Sequence, residues 1–344
     1  MFSKKIIVWY LRNKRDLPWR NTRNPYKIWL SEIILQQTRV EQGLPYYLKF
    51  VENFPTVEDL ANAHEDYVMK LWQGLGYYSR ARNLQHAAQT IVNEHQGKFP
   101  KDFESIKKLK GVGEYTASAI ASFAYDLPYP VLDGNVYRII SRIFGIYEAI
   151  DSNEGKKIFM KQLNELMDRS DAANFNQAIM EFGAIQCVPK NPNCNVCIFK
   201  DTCHAFLQNK IEQLPFKEKK IVKKDRTFHF MIFTDGKKFI VQKRNEKDIW
   251  QGMYEFPSSE KRLRDNKNIV HQTELQKHLL THQNIYYDFT LIYQKKLEKE
   301  NQQLLVNYEE ILKLAFPKIM HDYITKKLNL YLPQTLKKNN GRSK

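Results

Sequence analysis

The chain has 344 residues, 42% of them hydrophobic, and a formal net charge of +16. That length suits two domains, and the apolar share suffices for packed cores. The excess of Lys and Arg, spread along the whole chain, favours a polyanionic partner, nucleic acid before a membrane surface. No stretch reaches the roughly 18 consecutive apolar residues of a membrane span. The start, Met1 to Ile6, lacks the apolar core and cleavage site of a signal peptide, so an intracellular, cytoplasmic protein without a membrane partner is expected.

Taken from the start, Ile6 to Leu11 form a short amphipathic helix followed by a basic turn, Arg12 to Arg15. Leu17-Pro18-Trp19-Arg20 reads as an extended anchor. Pro25 is placed to open a helix that carries Tyr26 to Thr38. Within it Glu32 shares a flank with Ile28, Trp29 and Leu35, its neighbours at i−4, i−3 and i+3. A carboxyl in such surroundings has its pKa raised by desolvation, as a general acid near neutral pH requires. An exposed Glu at the edge of the apolar stripe is the plainer alternative.

The pattern stays helical from Pro45 to Gln96. Within it Gly74-Leu75-Gly76-Tyr77-Tyr78-Ser79-Arg80-Ala81-Arg82 sets aromatics and arginines beside a glycine break, a combination suited to stacking at a nucleic-acid step. Core tyrosines in a helix–loop–helix explain it equally well. Next comes Leu109-Lys110-Gly111-Val112-Gly113-Glu114-Tyr115-Thr116, two glycines around one small apolar residue between helical patterns. Such a hairpin can press backbone amides against a phosphate at a helix start. The segment breaks at Pro128 and Pro130 and then presents Asp133 in Leu132-Asp133-Gly134-Asn135-Val136. Alone, Asp133 reads as a helix cap. Amphipathic helices continue to about residue 184, so the first two-thirds is read as all-α.

Cys187, Cys194, Cys197 and Cys203 are the chain's only cysteines, spaced C-x6-C-x2-C-x5-C. Clustered thiols in an intracellular chain argue for a metal over disulfides. Spacing alone leaves zinc and a [4Fe–4S] cluster open. A charged segment with a Pro break, Leu214 to Arg226, reads as a linker.

Beyond it the apolar period changes to two. Thr227–Thr234, a turn at Asp235-Gly236, and Lys238–Arg244 form a hairpin. Ile285–Tyr293 and Leu304–Val306 are further strands. Leu275–Leu280 and Lys318–Leu328 read as helical, giving an α+β domain.

Five stretches together identify a relationship. Leu30 to Thr38, Gly74 to Tyr78, Gly111-Val112-Gly113, Leu132 to Val136 and the four-cysteine loop resemble the MutY family of adenine DNA glycosylases, in the helix-hairpin-helix, endonuclease III-like superfamily. The carboxyl-terminal part resembles that family's Nudix-like domain more loosely. The resemblance implies a mainly α glycosylase domain over 1–209, a linker over 210–225, a smaller α+β Nudix-like domain over 226–335 that recognises 8-oxoguanine, and a basic tail over 336–344. It implies that Glu32 is the catalytic acid and Asp133 the carboxylate facing the sugar. Arg15 and Trp19 then line the adenine pocket, with Tyr115 and Asn135 in support. Gln37 and Tyr77 wedge into the duplex, and Gly111, Val112 and Gly113 grip its backbone. The four cysteines become ligands of a [4Fe–4S] cluster.

Tyr115 stands where bifunctional relatives place a lysine, so little strand-nicking activity is expected. Thr281 and His282, in Leu280-Thr281-His282-Gln283, are the nearest match to the family's 8-oxoguanine-contacting loop, with Thr replacing Ser. Gln251 to Pro257 lacks the acidic run of a Nudix hydrolase, so pyrophosphate hydrolysis is not expected. The expected partner is double-stranded DNA with A·8-oxoguanine or A·G mispairs, and the expected state a monomer. An endonuclease III-type glycosylase/lyase, a non-catalytic iron–sulfur DNA-binding protein and a zinc-stapled transcription factor are the competing readings.

Overall fold

The computed structural model describes residues 2–219, 222–263 and 266–331. The chain divides into two compact units, one made of Met1–Ala61 and His86–Lys220, the other of Asn62–Gln85 and Ile221–Lys344. The tail expected at 336–344 lies outside the described residues.

The first unit contains helices and turns alone among its described residues. Its helices start where the sequence supplies caps. Asn24 accepts from the Tyr26 and Lys27 amides, with Pro25 at the first helical position of Pro25–Ile34. Asp102 caps Phe103–Lys108, Asp133 caps Gly134–Phe144, and Ser152 caps Asn153–Leu166. The core gathers Ile6, Ile139, Phe159, Leu163, Phe175 and Phe182, and it extends to Phe199 and Cys203 of the cysteine loop.

One helix is apolar or small on nearly every side. Thr116 through Phe123 in Glu114–Tyr125 are all buried, as befits a helix enclosed by others. It packs against Pro25–Ile34, and this pairing carries Tyr115 towards Glu32.

The helix expected to run from Tyr26 to Thr38 stops at Ile34. The Leu35 amide still donates to the Ser31 carbonyl, but Gln37 has φ 54°, in the left-handed region where a right-handed helix cannot continue. Leu35 to Gln37 therefore form a turn.

The second unit is built on a mixed sheet. Lys224–Thr234 and Gln283–Tyr293 run parallel in unbroken register, from Lys224 opposite Gln283 to Thr234 opposite Tyr293. Lys238–Lys243 returns antiparallel to Lys224–Thr234 after Gly236, whose φ of 88° the turn requires. Gln303–Asn307 pairs with Lys238–Lys243 on its other side. Asn62–Gln85, which the sequence reading counts with the first domain, groups here by contact. Asp66 accepts from Lys243 Nζ at 2.7 Å and from the Tyr254 hydroxyl at 2.9 Å, and Lys70 donates to the Leu314 carbonyl at 2.9 Å.

The helix expected at Leu275–Leu280 is a strand. Gln276–Leu279 pairs antiparallel with Gln283–Tyr293, from Gln276 opposite Tyr287 to Leu279 opposite Asn284. Thr281 and His282 close the hairpin, with the Leu280 amide donating to the Gln283 carbonyl at 2.8 Å. The segment is too short for its apolar spacing to separate helix from strand, and the partner strand decides. The expected helix at Lys318–Leu328 forms as Lys318–Tyr323 and then widens into a π-turn over Ile324–Leu328.

Candidate active site

In the first unit a cavity of about 760 Å³ opens beside the glycine hairpin. Glu32 and Asp133 both line it, with Arg15, Trp19, Gln37, Tyr115 and Asn135. Residues separated by a hundred positions in sequence thus meet at one place.

Glu32 is 7% exposed. Burial pushes its pKa up to about 7, and the nearby Asp133 charge pushes the same way. A hydrogen bond from the Tyr115 hydroxyl to Glu32 Oε2, 3.1 Å long, pulls it back by favouring the charged form. Tyr115 is half-buried, with its own pKa raised, so it stays a neutral donor.

Asp133 meets different surroundings. Its side chain accepts from the Val136 amide at 2.7 Å and from Asn135 Nδ2 at 2.8 Å. It also sits at the positive end of Gly134–Phe144. Burial raises its pKa, and these donors oppose the rise by binding the ionised form. Asn135 is held in turn by Arg138, whose Nη2 donates to Asn135 Oδ1 at 2.8 Å and to the Gly183 carbonyl at 2.7 Å. A Cβ on Gly183 would come within 2.6 Å of the Asn135 Cβ, so glycine permits that approach.

Glu181, which also lines the cavity, is not singled out by the sequence. Arg15 and Arg20 both bond it through paired nitrogens, with contacts of 2.8 and 2.7 Å from Arg15 and 2.9 and 2.6 Å from Arg20. Burial alone would raise its pKa, but the Arg20 and Arg15 hydrogen bonds hold it down at about 2. Its helical neighbours at i−4, i−3 and i+3 are Gln177, Ala178 and Ala184, so it lacked the large apolar flank that marked Glu32. Trp19 is buried with its ring edge-on to Tyr47, 5.0 Å between centroids. It forms part of the cavity wall beside Arg15.

The hairpin joins Phe103–Lys108 to Glu114–Tyr125. Gly111 takes φ 78°, Val112 is buried, and Gly113 has open space where a Cβ would stand. Backbone can therefore approach a ligand there closely. Tyr77, Thr281 and His282 line a separate cavity of about 430 Å³ in the second unit, with Arg82, Trp250 and Gln251. The Tyr77 and Thr281 hydroxyls are hydrogen-bonded to each other. Tyr77 has φ 46° and is 39% exposed.

The four cysteines are free of disulfides and line one cavity. Among the described residues no three His, Cys, Asp or Glu side chains gather as a site for a single ion. Donors surround the sulfurs: the Phe199 amide lies 3.4 Å from Cys197 Sγ, and Arg142 Nη1 lies 3.6 Å from Cys187 Sγ. Burial pushes the Cys197 thiol up to about 11 and raises Cys194 and Cys203 too. Thiolates here call for a positively charged partner, which fits a metal group. Arg138 Nε donates to the Cys187 carbonyl at 2.7 Å, so one guanidinium touches both the cysteine loop and Asn135.

Residues 30–168 match the family model of the HhH-GPD superfamily base excision DNA repair protein, and residues 228–326 match a NUDIX domain. A solved thermostable thymine-DNA glycosylase is similar at 29% identity with a TM-score of 0.56, over 60% of this chain and 95% of that one. An endonuclease III caught as a DNA covalent intermediate shares the fold at 20% identity and a TM-score of 0.53, over 60% of this chain and 95% of that one. Fold and site thus define a DNA N-glycosylase of the helix-hairpin-helix class, with a Nudix-like second domain.

The adenine DNA glycosylase of Buchnera aphidicola subsp. Schizaphis graminum is 33% identical over 296 residues, 85% of this chain and 85% of the relative. That of Homo sapiens is 40% identical over 226 residues, 62% of this chain and 41% of the relative. The chain belongs to the adenine DNA glycosylase family. No helix among the described residues is long and apolar enough to cross a membrane.

The Tyr115 hydroxyl favours ionised Glu32. Tyr115→Phe is therefore expected to move the Glu32 titration above pH 7, read by carboxyl-carbon NMR of labelled protein. An unchanged or lowered midpoint would contradict this account of the site.

Proposed function

We propose that this protein removes adenine mispaired with 8-oxoguanine or guanine, by hydrolysis of the N-glycosidic bond. The observation that carries the reading is a buried glutamate with a pKa near 7 sharing one cavity with a multiply hydrogen-bonded aspartate. The target base lies inside a duplex and must first be extruded. Protonated Glu32 donates to adenine N7 and makes the base a neutral leaving group. The C1′–N9 bond breaks with oxocarbenium character at the sugar. Ionised Asp133 stabilises that cation or bonds to it briefly. Glu32, now a base, activates the water that completes hydrolysis. One neutral and one charged carboxyl divide the work as in retaining glycosidases.

Arg15 and Trp19 frame the base pocket, while Asn135 orients Asp133 and Tyr115 tunes Glu32. Gly111, Val112 and Gly113 hold the phosphate backbone, and Gln37 and Tyr77 enter the base stack. With tyrosine at 115 the hairpin supplies no amine for imine formation, so an abasic site is the main product. Thr281 and His282, at a hairpin tip beside Tyr77, read the partner base.

Cys187, Cys194, Cys197 and Cys203 hold a [4Fe–4S] cluster. When bound, the cluster ties the loop to the helical core and balances the thiolate charge. A cluster takes one thiolate per iron, which suits four cysteines that line one cavity. The protein acts as a monomer on DNA in the cytoplasmic compartment.

Single-turnover adenine release from an A·8-oxoguanine duplex is the direct test. Glu32→Gln and Asp133→Asn should each slow it on the order of 10²–10⁴-fold. The wild-type rate should fall as pH rises through about 7, because the acid form of Glu32 is lost there. Strand scission should appear mainly after alkali. Wild-type rates in either variant would remove its carboxylate from the mechanism. A Thr281→Ala, His282→Ala double variant should discriminate 8-oxoguanine from guanine less well, and unchanged discrimination would exclude the hairpin. Purified protein should contain iron and a broad visible absorption band, both lost on replacing Cys197 with serine; colourless, zinc-loaded protein would refute the cluster.

A further inference from the structure

In the second unit Tyr77 meets the hairpin tip through the hydrogen bond between its hydroxyl and that of Thr281. Both residues are exposed, and a hydroxyl pair in contact with water contributes little to holding two elements together. The loop over 248–252 supplies the firmer connection. At its centre Trp250 is buried and has φ 63°. A bulky side chain rarely adopts that backbone conformation, so the contacts around it must hold it there.

Those contacts leave the loop in two directions. On one side Arg82, in the first turn of Ser79–His95, donates through Nη1 to the Gln251 carbonyl and through Nη2 to Gln251 Oε1 at 3.0 Å. On the other side Asp248 accepts from Arg226 Nη1 and Nη2, each at 2.7 Å. Arg226 Nη1 also donates to Gln283 Oε1 at 3.4 Å, on the residue that follows His282. The Lys224 amide donates to the His282 carbonyl at 3.1 Å.

The connections close into a ring. It runs from Tyr77 to the hairpin tip, through Arg226 to the loop, and through Arg82 back to the helix that follows Tyr77. Tyr77, Arg82, Gln251 and Gln283 all line the cavity of about 430 Å³ described above. Gln251 presents two acceptors, a carbonyl and a side-chain amide oxygen. A planar guanidinium engages both at once, whereas an ammonium on a flexible stem is a single point of attachment.

We propose that Arg82 is a positioning residue for partner-base recognition: by fastening Gln251 it fixes the loop and, through Arg226, the placement of Thr281 and His282 relative to Tyr77. The proposal rests on the reading above that this hairpin tip reads the partner base. 8-Oxoguanine differs from guanine at O8 and at the proton on N7. Telling them apart depends on where a few polar groups stand. Without Arg82 the loop loses one of its two fastenings, and the tip is free to shift against Tyr77. Glu32 and Asp133 line the cavity of the first unit, so the bond-breaking step does not pass through Arg82.

Equilibrium binding tests this without requiring base release. The duplexes carry a non-cleavable adenine analogue opposite either 8-oxoguanine or guanine. Wild-type protein should prefer the 8-oxoguanine duplex. Arg82→Met keeps the length and removes the donors; it should lower that preference by about tenfold. Arg82→Lys should fall between the two. Gln251→Leu leaves the carbonyl acceptor and should shift the preference the same way by less. Adenine release from A·8-oxoguanine at saturating Arg82→Met should stay within about twofold of wild type, because a positioning role in recognition acts on binding. A role in folding alone would weaken binding to both duplexes equally, and that result would overturn the proposal. So would a wild-type preference in Arg82→Met or, if that variant does not fold, in both Arg82→Lys and Gln251→Leu. The Thr281→Ala, His282→Ala double variant separates the two readings. Unchanged preference there would strike the tip as the reader and this proposal with it. Lowered preference there, beside an unchanged Arg82→Met, would strike the positioning role alone.

Discussion

The desolvation of Glu32 is the constraint around which the first unit is arranged. Glu32 lines the cavity with Ile28, Ser31 and Leu35, and its carboxyl accepts a hydrogen bond from Tyr115. Holding a carboxyl near pKa 7, against an unfolded value of 4.5, costs ~3 kcal/mol of stability once pH exceeds 7, because the unfolded state then ionises freely while the folded state resists. The penalty is absent below pH 4.5, where both states are protonated, and it grows between the two values.

Glu181 works in the opposite sense within the same cavity. Its pKa is depressed to about 2, so it contributes stability on the order of 3 kcal/mol above pH 4.5, lost as pH falls through 2. The two buried glutamates are therefore comparable in size and opposite in sign. Two guanidiniums on one make a buried ion network that braces Arg15, Arg20 and the last residue of Ala172–Glu181. The other accepts from a neutral phenol and keeps a pKa near 7, which suits the acid role proposed for it. The destabilising burial of Glu32 is thus offset by the charge cluster around Glu181.

Much of this was legible in the sequence because the signals are local. Glu32 was marked by its apolar neighbours, the hairpin by Gly111 and Gly113, and the cysteine loop by spacing. What the sequence did not disclose depends on partners distant along the chain. Glu181 has only Gln177, Ala178 and Ala184 on its flank, and only folding brings Arg15 and Arg20 to it. Arg138 has no local signal, because its partners, the Cys187 carbonyl and Asn135, come together only in the fold. Gln276–Leu279 was misread because four residues carry too little periodicity, and its long neighbour Gln283–Tyr293 imposes the strand. The end of the first catalytic helix was missed because a left-handed Gln37 has no compositional signature.

The division of labour between the two carboxylates follows from counting donors. Asp133 receives a backbone amide, a side-chain amide and the field of a helix start, all of which favour negative charge. Glu32 receives one phenol and is largely buried. Burial raises both, so burial cannot assign the roles; the hydrogen bonds do. The same count explains why Asn135 matters although it touches no reacting atom. Its amide is oriented by Arg138, and Arg138 is anchored on the carbonyls of Gly183 and Cys187. The hydrogen bonds that oppose the burial-driven rise of the Asp133 pKa thus belong to a chain that runs through Asn135 and Arg138 to the cysteine loop, and in the proposed reaction that loop supports Asp133 through geometry.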